Sequence, residues 1–320
     1  MQPFRLEPAC KDYLWGGVRL KAWGKGPALD RVSESWELAA HPDGDSTALD
    51  GPCVGMTLSR IAGEHPEIIS PHREAGASFP LIVKLIDARL PLSIQVHPDG
   101  VYAARAEGGR GKTEMWYVLD HEPGAFIYLG FQRETGRQEL ERAIAEGSLP
   151  SLLQRIEVHR GGRYFIPAGT VHSIGGGILL AEVQESSNLT YRVFDYNRAG
   201  PDGKPRQLHV TKALDVIRRT KADPVPPGAA PPKAVVGGSL EVLAHCPQFR
   251  AGLLRLDDRW EAAPQGGFLS LLCLKGNAGL SGSGLTLEAG TSLFVPADAG
   301  TFELTAGRGG AEFLLTAPGE

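Results

Sequence analysis

Cysteine is scarce in this chain and follows no pattern. Cys10, Cys53, Cys246 and Cys273 are its four, far apart and with no CxxC spacing, so they read as buried reduced thiols in a reducing compartment. Long apolar runs are missing. No 18 apolar residues follow one another, and the opening "MQPFRLEPACKDYLWGG" lacks the apolar core of a signal peptide. The expectation is a cytoplasmic protein without a membrane partner. Nor does one sign of charge dominate: 33 Lys and Arg stand against 37 Asp and Glu, with a pI near 6.2. No basic stripe or aromatic-rich motif suits a nucleic acid, so none is expected as a partner.

What the 320 residues do have is punctuation: 41 glycines and 24 prolines break the apolar stretches into short pieces. "FPLIVKLID" (79–87), "LSIQV" (92–96), "EMWYVLD" (114–120), "AFIYLGF" (125–131), "RYFIPAG" (163–169) and "GILLAEVQ" (177–184) each read as a strand between turns. Many such strands give an all-β sandwich or barrel. Helical patterns are few: 57–69 before Pro66, 135–149 ending at Gly147, and 211–219. "KADPVPPGAAPPKA" (221–234), with five prolines, reads as a stiff linker or crossing strap. The chain is long enough for two domains, and the boundary falls near it, giving 1–225 and 226–320.

"HPDG" occurs twice, at 41–44 and 97–100, and both copies read as tight turns after a strand. They differ two residues upstream. Ala39 precedes His41, whereas Gln95 precedes His97 in an apolar run. Strand side chains alternate faces, so Gln95 and His97 point the same way and need polar partners there.

A second repeat spans the two halves. "GGRYFIPAGTVH" (161–172) and "GTSLFVPADAGT" (290–301) share the spacing Gly, five residues, Pro, one residue, a turn residue, two residues, a last residue. The first copy has Gly169 and ends on His172; the second has Asp298 and ends on Thr301. The pattern resembles the second signature of the cupin superfamily, a strand and Pro-x-Gly turn that brings a metal-binding histidine into a jelly-roll barrel. A cupin barrel followed by a degenerate, ligand-less cupin-like β domain is the expected architecture, with one metal centre. Gln95, His97, Glu114 and His172 together offer two nitrogens and two oxygens, a set for a divalent ion with positions left for water or substrate. Such donors accept zinc and also manganese, iron or cobalt.

With these motifs in order, "LSIQVHPDG", "GKTEMWYVL", "IPAGTVHSIGGGILLAEVQESSNLTYRVFDYNR" and the early "YLWGG…ESWELAAHP" resemble the type I phosphomannose isomerases, in their short bacterial form. The resemblance runs from about residue 4 to 216 and more loosely beyond. It implies one Zn2+ held by Gln95, His97, Glu114 and His172, and leaves His41 a structural or pocket-edge residue. It further implies interconversion of mannose 6-phosphate and fructose 6-phosphate, which requires ring opening, a proton moved between C2 and C1, and electrophilic support for a cis-enediolate.

By the same resemblance Arg192 is an active-site arginine, whose bland alternative is a salt bridge with Asp195. Lys112 is a substrate-contacting lysine whose pKa would fall beside a divalent cation, and Glu182 is a carboxylate for proton shuttling; the base is Lys112 or Glu182. Ser93 shares a strand face with Gln95 and suits a phosphate oxygen. Lys84, inside "LIVKLI", must reach a pocket or a carboxylate because a bare buried ammonium is costly; phosphate is its expected partner. Two departures stand out. "RVFDYNR" replaces the family's "RAGLTPK"-like run, leaving Arg198 to serve as second phosphate cation, and Asn188 stands where relatives carry Asp. A phosphorylated hexose is thus the expected partner, and the chain is expected to be a monomer or weak homodimer. The rivals are a cupin isomerase of another aldose phosphate and a non-catalytic sugar-phosphate-binding cupin.

Overall fold

The structure is a computed structural model and describes residues 1–70, 78–200 and 203–319. Two sheets of the N-terminal part face one another. One is six-stranded, in the order Arg163–Ile166, Glu114–His121, Ile178–Glu185, Leu81–Ala88, Glu34–Leu38, Ala9–Lys11. The other is five-stranded: Leu153–Glu157, Phe126–Phe131, His172–Ile174, Ile94–Val96, Tyr191–Phe194. Each apolar run read as a strand is one, and all pairings are antiparallel. The sandwich agrees with the expected cupin-type architecture.

Alternation explains the layers. In Leu81–Ala88 and Ile178–Glu185, Leu81, Val83, Leu85, Leu179, Ala181 and Val183 face outward, onto Leu243, Phe249, Leu253, Phe268 and Leu314 of the C-terminal sheet. Ile86, Leu180, Trp116 and Val118 face inward and meet Ile127, Leu129 and Ile174 of the five-stranded sheet. Strands buried on both faces in this way lose the polar alternation of surface strands. The outer face of the five-stranded sheet is covered by Leu140 of the helix Arg137–Ala145 and by Ala213 and Leu214 of the helix Val210–Val216.

The last ninety residues build a larger sheet, and the N-terminus joins it: Phe4–Glu7 lies between Ser292–Val295 and Thr47–Ala48. No helix among the described residues is long and apolar enough to cross a membrane.

Two expectations change. The proline-rich segment 221–234 is not all linker, because Ala230–Val235 is the edge strand of the C-terminal sheet. Its register shifts between Ala230 and Lys233, so Pro231 and Pro232, which have no N–H, fall at an irregularity on an edge, where a ladder tolerates them. The HPDG copies also part ways. His41-Pro42-Asp43-Gly44 is the expected hairpin turn. In the other copy Asp99 caps a helix, Gly100–Glu107, by accepting from the Tyr102 N–H at 2.8 Å. The downstream residues decide between the two: "VYAARAE" is a helix former, while "DSTA" is not.

Candidate metal centre and active site

Register turns inward-facing residues of distant sequence into rows. Across the six-stranded sheet Trp116, Glu182, Lys84 and Trp36 stand opposite one another in succession. Across the facing sheet His172, Gln95 and Arg192 do the same. Between these rows lies a cavity of about 300 Å3 whose walls include Glu34, Lys84, Ser93, Gln95, Lys112, Glu182, Arg192 and Arg206.

Against its lining residues Gln95 and Lys112, the side chains of His97, Glu114 and His172 are buried, with their ligating atoms within 4.8 Å of one another. Glu114 Oε2 lies 3.5 Å from His97 Nε2, and Oε1 lies 3.4 Å from His172 Nε2. The Gln95 amide is 3.4 Å from His172 Nε2. Each imidazole spends its other nitrogen on a backbone carbonyl: His97 Nδ1 on Leu189 and His172 Nδ1 on Thr170, both at 2.8 Å. Those bonds fix the Nδ1–H tautomer and aim the Nε2 lone pairs inward, the usual support for a metal-ligating histidine.

The donors fit a divalent cation. Neither Glu114 oxygen accepts a well-aligned hydrogen bond although both are shut off from solvent. Its close cationic neighbour is Lys112, whose Nζ is 2.6 Å from Oε2. Burial, aided by the nearby Glu182 charge, pushes the Glu114 carboxyl up to about 7. Burial also holds His97 well below its ordinary range and lowers His172 to about 4, so both rings are neutral at pH 7, as metal ligands must be.

Lys112 and Glu182 face each other beside this centre, Nζ to Oε1 at 3.7 Å. Burial opposes the Lys112 charge, but Glu114 and Glu182 outweigh it and its pKa is raised. The expected fall is that of a site with a cation bound; with Glu114 unshared, the carboxylates govern. Glu182 is held below the usual carboxylate range: burial works against it, and Lys112, Lys84 and the Trp116 indole N–H (2.9 Å) prevail. Its Oε1 accepts no aligned hydrogen bond. Glu182 is thus the ionised carboxylate beside the centre, and Glu114 is the one whose proton a metal would displace.

The structure brings the remaining sequence candidates to the same cavity. Lys84 Nζ stands 3.4 Å from Glu34, 3.6 Å from Glu182 and 4.4 Å above the Trp36 ring, so its burial is compensated by carboxylates. Ser93 Oγ donates to Gln95 Oε1 at 3.2 Å. Arg192 donates from Nη1 to the Gln207 carbonyl at 2.9 Å, while its Nε is buried without a partner. It forms no salt bridge with Asp195, which is taken by Arg198 and Arg206. His41 packs edge-on against Trp36, and Asp43 of the same turn accepts from the cavity-lining Asn188 at 2.9 Å.

Two charged cavity residues were missed. Glu34 could have been found, since it stands two before Trp36 and shares its face. Arg206 could not, because it lies in a loop without periodicity.

Known proteins resemble the chain over nearly its whole length. Residues 3–132 match the family model of the phosphomannose isomerase type I catalytic domain. The probable mannose-6-phosphate isomerase GmuF of Bacillus subtilis is 35% identical, over 99% of both chains. A crystal structure of the mannose 6-phosphate isomerase from Bacillus subtilis superposes with a TM-score of 0.91 at 32% identity, covering 99% of each chain. A zinc-bound mannose 6-phosphate isomerase shares the fold over the whole of both chains, with a TM-score of 0.73 at 18% identity. A relative at 35% identity over nearly full length on both sides settles kinship: the chain belongs to the type I phosphomannose isomerases.

Proposed function

We propose that the chain is a metal-dependent aldose–ketose isomerase that interconverts mannose 6-phosphate and fructose 6-phosphate. The observation that carries this reading is the buried His97–Glu114–His172 cluster, with neither Glu114 oxygen in an aligned hydrogen bond, beside a cavity that holds an ionised carboxylate and cationic side chains. Family membership and the relatives' names support the same substrate.

Gln95, His97, Glu114 and His172 would hold one Zn2+, a choice favoured by two imidazoles and supported by the zinc-bound relative. When bound, the ion supplies Lewis-acid stabilisation to the negative charge that develops on the sugar's O1 and O2.

The chain's own residues do the rest. Glu182, ionised and lacking an aligned donor at Oε1, takes the proton from C2 and returns it to C1 through a cis-enediolate. Lys112, 3.7 Å away and protonated, moves the proton between the two oxygens. Arg192 presents a charged fork to the substrate from the opposite sheet. Ser93 and Lys84 contact the substrate from the two walls. The division at residue 225 keeps every proposed site residue in the N-terminal part.

The reaction carried out in D2O tests this. An enediolate path places solvent deuterium at C1 of fructose 6-phosphate or C2 of mannose 6-phosphate, seen by NMR. Turnover with no exchange at any conversion, together with a kcat unchanged in E182Q, removes Glu182 from its role.

A further inference from the structure

The cavity is electrically lopsided. Around its inner end Lys84 and Lys112 are answered by Glu34, Glu114 and Glu182. At the other end Arg192, Arg198 and Arg206 surround, among the described residues, a single buried carboxylate, Asp195. Asp195 Oδ1 accepts from Arg198 Nη2 and Arg206 Nη2, both at 2.5 Å, and Oδ2 accepts from Arg206 Nε at 2.6 Å. One charge cannot neutralise three, so cationic charge is left over. Arg198 turns away, donating also to the Pro91 carbonyl. Arg192 and Arg206 are the two that reach the cavity wall.

The backbone is built to hold them together. Tyr196 and Asn197 both lie in the left-handed region, at φ 55° and 54°, so the chain doubles back and Arg198 N–H reaches the Asp195 carbonyl. Farther along, Gln207 carbonyl accepts from Arg192 Nη1 and His209 N–H donates to the Arg192 carbonyl at 2.8 Å, which fastens the loop carrying Arg206 to the strand carrying Arg192.

We propose that Arg206 is the second phosphate-binding cation, acting beside Arg192, and that Asp195 is the residue that positions it. This rests on the sugar-phosphate reading above. A phosphate dianion is drawn to the end with uncompensated positive charge and away from Lys84, whose neighbours Glu34 and Glu182 would repel it. The sugar's C1 and C2 then lie toward Glu182 and the metal centre. Arg206 presents a guanidinium edge already oriented by the carboxylate, so little side-chain entropy is lost when the anion arrives.

The test is equilibrium binding of glucitol 6-phosphate, an unreactive open-chain hexose phosphate, against glucitol, to metal-loaded wild type, R206A, R206K and D195N. Loss of a charge-assisted fork predicts about 30-fold weaker binding of the phosphate by R206A, with less loss in R206K. Metal content of R206A stays that of wild type, while its Tm falls because Asp195 Oδ2 loses its partner. D195N weakens the phosphate about tenfold, and KM for mannose 6-phosphate rises in step while kcat changes little. Binding by R206A equal to wild type, or a D195N effect confined to kcat, overturns the assignment. Should wild type bind glucitol 6-phosphate through Arg206 but not turn over mannose 6-phosphate, the isomerase reading fails and the phosphate site stands. Failure of wild type to prefer the phosphorylated hexitol removes the site itself.

Discussion

The units at 161–172 and 290–301 begin alike and end differently. Gly161 and Gly290 both take positive φ, at 78° and 90°, each leads into a four-residue strand, and each strand closes on a proline. Then Gly169 takes φ 87° and the chain delivers His172 to the interior, whereas Asp298 takes no such turn and Thr301 ends exposed. The interiors follow suit. Behind the second unit lie Leu254, Leu271, Leu293 and Phe313; behind the first lie a histidine pair, carboxylates and lysines. A cavity of about 530 Å3 beside Trp260 and Phe268 in the C-terminal part is larger than the one beside the first unit yet mostly apolar. Apolar alternation is therefore enough to make the scaffold, and a handful of inward polar residues, each desolvated and each needing a partner, converts one copy into a reaction centre.

The strongest way to break the contrast is to empty the first unit. H172A or H97A should lose bound metal and about 1,000-fold or more in turnover with mannose 6-phosphate, read by metal analysis and a coupled assay. The mirror experiment, T301H, should leave metal at one ion per chain, because no carboxylate or second imidazole joins residue 301 in a metal cluster among the described residues. A second ion bound there would show that the units differ by less than argued.

Next in size are the acid–base partners. E182Q and K112M should keep the metal and lose about 100- to 10,000-fold in kcat, since each removes a proton-transfer group while the ligands remain. Metal loss in E182Q would mean that Glu182 supports the centre rather than the chemistry.

Acidity gives a smaller, signed effect. In the metal-free protein Glu114 holds its proton up to about 7, while His172 is neutral down to about 4. A metal must displace the Glu114 proton, so affinity should climb with pH, by up to about tenfold per unit below 7, and flatten above it. Competition titrations with a chelator between pH 6 and 8 read this directly. A flat profile would place Glu114 outside the ligand set. Smallest is the cap: D99A should cost about 1 kcal/mol of stability through the helix Gly100–Glu107, while D43A, on the other HPDG, should instead release Asn188 at the cavity edge.

Much of the fold was legible because its signals are local. Apolar runs bounded by Gly and Pro give strands, and Leu140 and Ile144 before Gly147 give a helix. The ligand candidates were legible for a related reason: the two-residue period puts Gln95 beside His97, and the Pro-x-Gly turn points to His172. What sequence could not supply was register. That Trp36, Lys84, Glu182 and Trp116 form one row depends on how four strands pair, and a one-residue slip would turn each to the other face. Arg206 was illegible because loops carry no period, and the loan of Phe4–Glu7 to the C-terminal sheet because a short apolar strand does not name its partner. The Asp99 cap was missed because Pro-Asp-Gly suits a turn and a helix start alike.

If one metal, held by the first unit alone, drives isomerisation of mannose 6-phosphate, activity must track that ion. The direct measurement is turnover of the purified protein as zinc is removed by a chelator and returned in steps, with bound metal counted at each step. Activity should vanish on chelation and return in proportion to occupancy, reaching its full value at one ion per chain. Full activity in the stripped protein, or no turnover at one bound ion, would contradict that dependence.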